Sequence, residues 1–213
     1  MRQVLVLGAG TMGAQIAAHA ANAGLQVVLA DVTVAAAALG RQALTGLSPS
    51  PLFVTEVVDR IAASLGLVWT TTPDACIARG SSRAHAVCLV KMRSNMNQSG
   101  AGLRQLSEAL SFKPEQCVLV YDDLDTPIGS IRTRLTGGAG GHRGVASILE
   151  AFQSDAFRRV KVGVGQPGVI PDRVQYVLTP FDPASRAAVE PAISAAEARA
   201  LEMVERHSVV EMP

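Results

Sequence analysis

The chain has few cysteines, few aromatic residues and no long apolar run, and these shortages exclude several classes of protein. Three cysteines in 213 residues, none in a CxxC pair, argue against a disulfide framework and a cysteine-ligated metal site and favour a reducing compartment. No apolar run reaches the roughly 18 residues of a membrane-spanning helix. Glycines interrupt the apolar N-terminus, unlike a signal peptide. We therefore expect a cytoplasmic protein without a membrane partner or a bound metal.

Charge is also sparse and nearly balanced. Nineteen basic and 18 acidic residues leave a net charge of +1, so the charge of the whole molecule predicts no DNA partner, and any contact with RNA requires a local basic patch. Hydrophobic residues make up 48% of the chain, which is typical of a folded protein. The length suits one domain with a sizeable core, or one domain with a grafted segment.

Strand-like apolar runs alternate with segments of helical spacing, which predicts an α/β fold. The predicted strands are 4–7, 27–30, 85–91, 116–121, 131–135, 159–165 and 174–178. The predicted helices are 12–23, 34–44, 55–65, 99–110, 145–152 and 182–207, the last with Asp182 as its N-cap. Residues 70–84 have no clean period and fit either a loop or an irregular strand.

A glycine pattern follows the first predicted strand. Gly8, Gly10 and Gly13 form GAGTMG, and Asp31 closes the second strand about 20 residues later, at the position that contacts a ribose hydroxyl in dinucleotide-binding units. The glycines permit a tight turn, close approach of a pyrophosphate and packing of helix on strand, and the helix N-terminus faces the phosphates. This pattern predicts a Rossmann-type βαβ unit whose cofactor would be NAD.

GAGTMGAQIA, HAANAG and VVLAD resemble the N-terminus of 3-hydroxyacyl-CoA dehydrogenases over about residues 1–61. That family also needs a second dinucleotide-binding half and a His-Phe-Phe-Asn-Pro type motif, and the chain has neither. We therefore expect the NAD site to be vestigial. An NAD-binding remnant of a dehydrogenase is the alternative function.

Five segments follow one another in order in the rest of the chain: LVKMRSNMNQSGAGL, VLVYDDLDTPIGSIRTR, GGAGGHRGVASIL, FRRVKVGVGQPG and VQYVLTPF. Together they resemble bacterial-type peptidyl-tRNA hydrolases from about residue 85 onward. The resemblance implies one mixed, mostly parallel sheet flanked by helices, here with the βαβ unit as residues 1–66 and the hydrolase-like domain as 67–213. It also implies cleavage of the ester between a peptide and the tRNA 3′ end, with the tRNA acceptor end as partner and no required cofactor.

The resemblance further assigns roles to individual residues. It implies that Asp122 orients and charges a catalytic histidine, that Asn97 grips the substrate, and that His142 lies in the active-site glycine loop, with a structural role as the alternative. The residues implied to contact the tRNA are Asn95, Asn97, Arg134, Arg143 and Lys161, and Arg132, Arg158 and Arg159 could extend that patch. Asp123 and Asp125 are expected to be solvated.

The catalytic histidine of that family lies in a Thr-Arg-His-Asn motif, which this chain lacks. His19 is about two residues from the corresponding place, and two residues on a helix turn a side chain by about 200°. We therefore expect His19 to miss Asp122, which leaves His142 as the other candidate base. Either a substitute base supports hydrolysis, or the chain binds the tRNA end without catalysis.

Overall fold

A computed structural model describes residues 2–7, 26–30, 53–72, 75–93, 98–165, 176 and 181–206. This part of the chain forms eight strands: β1 (Arg2–Leu7), β2 (Gln26–Ala30), β3 (Trp69–Thr71), β4 (Ala75–Ser82), β5 (His85–Met92), β6 (Cys117–Pro127), β7 (Ile131–Arg134) and β8 (Arg158–Gly165). It also forms four α-helices: α1 (Phe53–Ser64), α2 (Ser99–Leu110), α3 (Arg143–Phe152) and α4 (Pro183–Arg206).

The strands form one sheet in the order β3-β4-β5-β1-β2-β6-β8-β7. The central neighbours, from β5 through β1, β2 and β6 to β8, are parallel. Antiparallel pairs flank them, β3–β4–β5 at one edge and β7–β8 at the other. The mixed, mostly parallel sheet predicted from the sequence is confirmed.

The two N-terminal strands lie at the centre of this sheet. Val4–Val6 of β1 and Val27–Ala30 of β2 both pair with the start of β6, and β1 also pairs along β5 from Ala86 to Lys91. Because β5 and β6 each use their other edge for β4 and β8, β1 and β2 occupy the space between them. The helices predicted over 12–23 and 34–44 lie outside the described residues.

Helices cover both faces of the sheet, and alternate residues of β6 point to opposite faces. Val118 and Val120 belong to the core beneath α1 and α4, whereas Cys117, Leu119 and Tyr121 belong to the core beneath α2 and α3. This double burial explains why the sequence of β6 begins as a continuous apolar run. We call these the α1/α4 face and the α2/α3 face.

The structure confirms the predicted N-cap of the last helix, settles one ambiguous segment and corrects one predicted strand. Asp182 caps α4, because its Oδ1 accepts a hydrogen bond of 2.9 Å from the Ser185 N–H. That backbone donor is the main cause that lowers the pKa of Asp182. Within the ambiguous stretch 70–84, residues 70–71 belong to β3 and residues 75–82 form β4, and the two strands pair antiparallel. The strand predicted over 174–178 is wrong at Tyr176, which is helical; its neighbours lie outside the described residues.

A closed ring of four charges joins α1 to α4. Arg60 pairs with Glu56 and Glu190 at 2.6 Å each, and Arg186 pairs with Glu56 at 2.9 Å and with Glu190 at 3.0 Å. Each side chain is about one-third to two-fifths exposed, so water weakens each pair. A network nevertheless contributes more than the same pairs in isolation.

Arg186→Gln should therefore lower the free energy of unfolding by about 1 kcal/mol at low salt and by less at 1 M salt. The hydrogen bond from Arg60 is the first cause that lowers the pKa of Glu190 in the folded protein. The free energy that ionised Glu190 contributes to folding is therefore fully present above its ordinary pKa of about 4.5. It is lost as the pH falls through the lowered pKa of Glu190 in the folded protein. Urea unfolding at two salt concentrations measures the effect. Arg206→Gln, which removes a pair within α4, is the control, and an equal loss in both variants would contradict the role of the ring.

Candidate active site

Asp122 lies in the long strand β6, opposite Val162 of β8. The sequence interpretation placed it at the end of a strand, but β6 continues to Pro127 with an irregular register between Asp123 and Pro127. The apolar run ends at Tyr121, but the backbone of β6 continues to pair with β8 beyond that residue. Irregularities of this kind re-aim side chains and are frequent beside active sites. The Asp122 side chain is 11% exposed, so it is shielded but reachable.

His142 comes to Asp122 from the glycine loop, residues 137–142, which directly precedes α3. It is the N-cap of α3, where its Nδ1 accepts a hydrogen bond of 3.2 Å from the Val145 N–H. Its Nε2 lies 3.4 Å from Asp122 Oδ1. Because a backbone N–H can only donate, Nδ1 carries no proton, and the neutral ring holds its proton on Nε2 and donates it to Asp122. The predicted helix start at 145 is two residues late, because the cap lies at 142.

His142 has the structural role that the sequence analysis gave as the alternative, and its contact with Asp122 is compatible with the catalytic one, which stays a prediction. As a cap it satisfies one of the unpaired N–H groups that begin α3. As a partner of Asp122 it forms the carboxylate–imidazole arrangement that supports proton transfer, since a carboxylate stabilises the imidazolium that forms when the ring accepts a proton. The lone pair of Nδ1 is engaged by the cap, so Nδ1 could accept a proton only after the Val145 N–H releases it.

The Tyr121 ring packs against the His142 ring. Its ring centroid lies 5.0 Å from that of His142, with the two planes tilted by 56°. Burial raises the pKa of Tyr121 to about 12, and its hydroxyl is buried with no hydrogen-bond partner among the residues that the structure describes. The hydroxyl therefore stays protonated at neutral pH and supports the imidazole by packing.

Asp123, expected to be solvated, is buried; that prediction is wrong. It is 5% exposed, accepts a hydrogen bond of 2.5 Å from Thr126 Oγ1 and lies 3.4 Å from Lys161 Nζ. Asp125 is exposed, as expected. Alternation along β6 puts Asp123 on the same face as Tyr121, a signal that can be used only when the strand is known to continue past Asp122.

The basic residues implied to contact tRNA divide into exposed and engaged ones. Arg134 at the end of β7 and Arg143 at the start of α3 are exposed, so both can meet a phosphate. Lys161 is 17% exposed and is paired with Asp123, so phosphate binding by Lys161 would compete with that carboxylate. Arg132 on β7 is also exposed.

Arg158 and Arg159 do not extend the surface patch, because they are 7% and 1% exposed. Burial lowers the pKa of Arg158 to about 10. Its Nη1 donates to the carbonyl of Met203 in the last turn of α4, where helix carbonyls lack partners and a cation is favourable. Nothing in the local sequence FRRVKV distinguishes these arginines from exposed ones.

The remaining predicted site residues lie outside the described residues: Asn95, Asn97, Gly8, Gly10, Gly13, Asp31 and His19. Within the described part of the chain, no group of three or more histidine, cysteine or acidic side chains could hold a metal ion. No helix in these residues has the length and apolarity needed to cross a membrane. Cys88 and Cys117 are buried and Cys76 is partly exposed; burial raises the pKa of Cys88 to about 12, which makes it unreactive.

Comparison with known families places this site in context. The profile of the family described as peptidyl-tRNA hydrolase matches residues 54–212, about three-quarters of the chain. The chain belongs to the peptidyl-tRNA hydrolase family. The match contains the Asp122–His142 pair, the glycine loop and the exposed arginines, so the resemblance inferred from the five ordered segments is confirmed.

Curated relatives are similar in sequence to more than half of this chain. A peptidyl-tRNA hydrolase of Persephonella marina is 42% identical over 110 residues, which are 52% of this chain and 58% of the relative. One of Aquifex aeolicus is 41% identical over 126 residues, 58% of this chain and 66% of the relative. The matched region thus spans about three-fifths to two-thirds of the length of these relatives.

Solved structures extend the likeness to the fold. A peptidyl-tRNA hydrolase from Acinetobacter baumannii superposes with a TM-score of 0.67 at 26% identity, covering 72% of this chain and 79% of the other. A peptidyl-tRNA hydrolase in complex with N-propanol superposes with a TM-score of 0.71 at 22% identity, covering 97% of this chain and 90% of the other. The sheet flanked by helices is therefore the fold of this family.

The N-terminus matches a second profile, described as the NAD binding domain of 3-hydroxyacyl-CoA dehydrogenase, over residues 3–65. The two matches overlap at residues 54–65, which is nearly the whole of α1. This helix packs with α4 in the core of the α1/α4 face. The boundary at residue 66 stays a prediction.

Proposed function

We propose that the chain hydrolyses the ester that joins a peptide to the 3′ end of tRNA. The observation that carries this proposal is the contact between His142 and Asp122, in a chain that belongs to the peptidyl-tRNA hydrolase family. A carboxylate and an imidazole in contact at 10–11% exposure suit proton transfer to or from a substrate that enters from solvent. The substrate would be peptidyl-tRNA, with its acceptor end held by Arg134 and Arg143.

In this proposal water attacks the ester carbonyl, the C–O bond to the ribose breaks, and the ribose oxygen leaves with a proton. Asp122 stabilises the positive charge that develops on His142 when the ring takes a proton from water. Asn97 would donate its amide to the substrate, as the family resemblance implies. The glycines at 137, 140 and 141 have positive φ values, which allow the loop backbone to approach the ester closely. The reaction needs no metal and no NAD.

We propose that His142 substitutes for the missing family base. Its Nε2–H already donates to Asp122, and the basic lone pair is on Nδ1. Freeing Nδ1 removes the cap of α3, at a cost of about 1 kcal/mol, which corresponds to a roughly five-fold lower population of the competent ring. A cost of this size slows hydrolysis without preventing it.

The experiment is cleavage of N-acetylated aminoacyl-tRNA by the purified full-length chain, measured as release of the labelled N-acetyl amino acid. We expect turnover that is slow but proportional to protein concentration. The same tRNA with its amino acid attached through an amide bond, which resists hydrolysis, is the matched control for binding. Binding of that analogue without cleavage of the ester would contradict the hydrolase function.

That outcome would favour a second function, binding of the tRNA end without catalysis. The observation in favour of it is the engagement of both ring nitrogens of His142, one in the cap and one on Asp122. The exposed Arg134 and Arg143 serve this function equally well, because phosphate contacts need only accessible charge.

Arg134→Ala tests the phosphate contact under either function. Affinity for the tRNA acceptor end should fall several-fold at low salt. The slope of log K against log salt should become shallower by about one unit, because one fewer counterion is released. Arg206→Ala removes an arginine that is 78% exposed at the far end of α4 and should leave the slope unchanged. Equal slopes for wild type and Arg134→Ala would remove Arg134 from the interface.

A further inference from the structure

Arg159 is almost fully buried, yet within the described part of the chain its hydrogen bonds go to backbone carbonyls and none goes to a carboxylate. Its Nη1 donates to the carbonyl of Gly138 at 2.9 Å and its Nη2 to the carbonyl of Asp155 at 3.3 Å. Gly138 precedes α3 and Asp155 follows it. One guanidinium therefore ties down the loops at both ends of the helix that His142 caps.

The glycine loop lies close against this guanidinium. A Cβ at Gly137 would lie 3.3 Å from Arg159 Nη1, and a Cβ at Gly140 would lie 3.4 Å from Lys161 Nζ. Arg159 and Lys161 are two residues apart on β8 and therefore point to the same side of the sheet. The glycine loop thus rests on two cations, and Lys161 is itself held by Asp123.

We propose that Arg159 is a positioning residue, which fixes the glycine loop so that the His142 ring meets Asp122. The expected effect of Arg159 on hydrolysis rests on the proposed function, whereas its effect on the position of the His142 ring does not. The hydrogen bond to Gly138 lies four residues before His142, and a rigid donor fork that joins two loops fixes both of them at once. A displacement of about 1 Å at a catalytic group can cost about 100-fold in rate.

The chain offers a matched control in the adjacent residue. Arg158 is also a buried arginine on β8, but it points to the opposite face and donates to Met203 in α4. Replacing either arginine by methionine removes a buried guanidinium and its backbone hydrogen bonds. The loss of stability should be similar, whereas only Arg159 contacts the glycine loop.

The first test is steady-state hydrolysis of N-acetylated aminoacyl-tRNA by full-length Arg159→Met, Arg159→Lys and Arg158→Met. We expect Arg159→Met to lower kcat 10- to 100-fold with less than a three-fold change in KM. Arg159→Lys keeps the charge but loses the fork, so its kcat should lie between those of wild type and Arg159→Met. Arg158→Met should keep kcat within about three-fold of wild type. Equal losses of kcat in the two methionine variants would overturn the positioning role.

The second test does not depend on turnover. The ¹⁵N signals of the His142 imidazole report which nitrogen carries the proton, and wild type should show the Nε2–H form. Arg159→Met or Arg159→Lys should shift these signals toward the average of the two tautomers, and Arg158→Met should not. Unchanged His142 signals in both Arg159 variants would overturn the proposal even if the enzyme is active. A shift in a protein that does not hydrolyse the ester would support the positioning role and refute the proposed activity.

Discussion

Asp122→Asn should lower kcat/KM for hydrolysis of N-acetylated aminoacyl-tRNA by about 1,000-fold. The asparagine Oδ1 can still accept the hydrogen bond from His142 Nε2, so the ring keeps its place and only the negative charge is lost. Without that charge the imidazolium formed during water activation is no longer stabilised. The variant should bind the tRNA end as tightly as wild type, because Asp122 makes no contact with a phosphate in the proposed complex.

Asp125→Asn is the matched control for that experiment. Asp125 lies three residues further along β6 and is exposed, so its replacement changes the net charge equally and should keep kcat/KM within about two-fold. More than a tenth of wild-type activity in Asp122→Asn would show that the carboxylate does not assist the base. His142→Asn should reproduce the loss, and the double variant should be no slower than either single variant, because residues that act as a unit are not additive.

Gly100→Ala should destabilise the protein more than any surface substitution. A Cβ at Gly100 would lie 2.0 Å from the Ser147 carbonyl oxygen and 2.5 Å from the Ser147 carbonyl carbon, so α2 and α3 would have to move apart. The same separation stretches the hydrogen bond of 3.0 Å from the Gly100 N–H to Ser147 Oγ. We expect a loss of about 3 kcal/mol, although alanine favours a helix over glycine by about 1 kcal/mol.

Urea unfolding followed by circular dichroism measures this loss. Gly138→Ala is the control, since a Cβ there meets no heavy atom of the described residues within 4 Å. The control should change the free energy of unfolding by less than about 0.5 kcal/mol, as for a surface position. A Gly100→Ala variant as stable as wild type would mean that α2 and α3 do not pack at this distance. The hydrolytic activity of Gly100→Ala should also fall, because α3 carries His142 at its N-terminus.

The core strands and the N-cap of α4 were predictable from local patterns, whereas the N-cap of α3 was not. The apolar run of β6 required burial on both faces, and its alternate residues do pack under different helices. Asp182 was predictable as a cap, because an aspartate before a proline at the first helical position satisfies the free N–H groups of a helix start. The five ordered segments indicated the family, because their order along the chain is a property of the sequence alone.

The contacts of the candidate site depended on the tertiary structure. His142 and Asp122 are 20 residues apart along the chain, and their contact depends on where the glycine loop and α3 lie relative to β6. Asp123 was expected in solvent and is buried. Its carboxylate is held by Thr126 on the same strand and by Lys161, which lies 38 residues further along the chain.

Arg158 and Arg159 show the division between sequence and tertiary structure most directly. The sequence by itself determined that a strand begins at about Arg159, and the structure adds Arg158 to that strand, so that the two arginines point to opposite faces of the sheet. Only the tertiary structure decided that both are buried, because the carbonyls that accept their hydrogen bonds belong to Met203 in α4 and to Gly138 and Asp155 beside α3. A buried charge needs such partners. Met203 and Gly138 are 45 and 21 residues away from the arginines that they bind, so the residues beside the arginines give no sign of them.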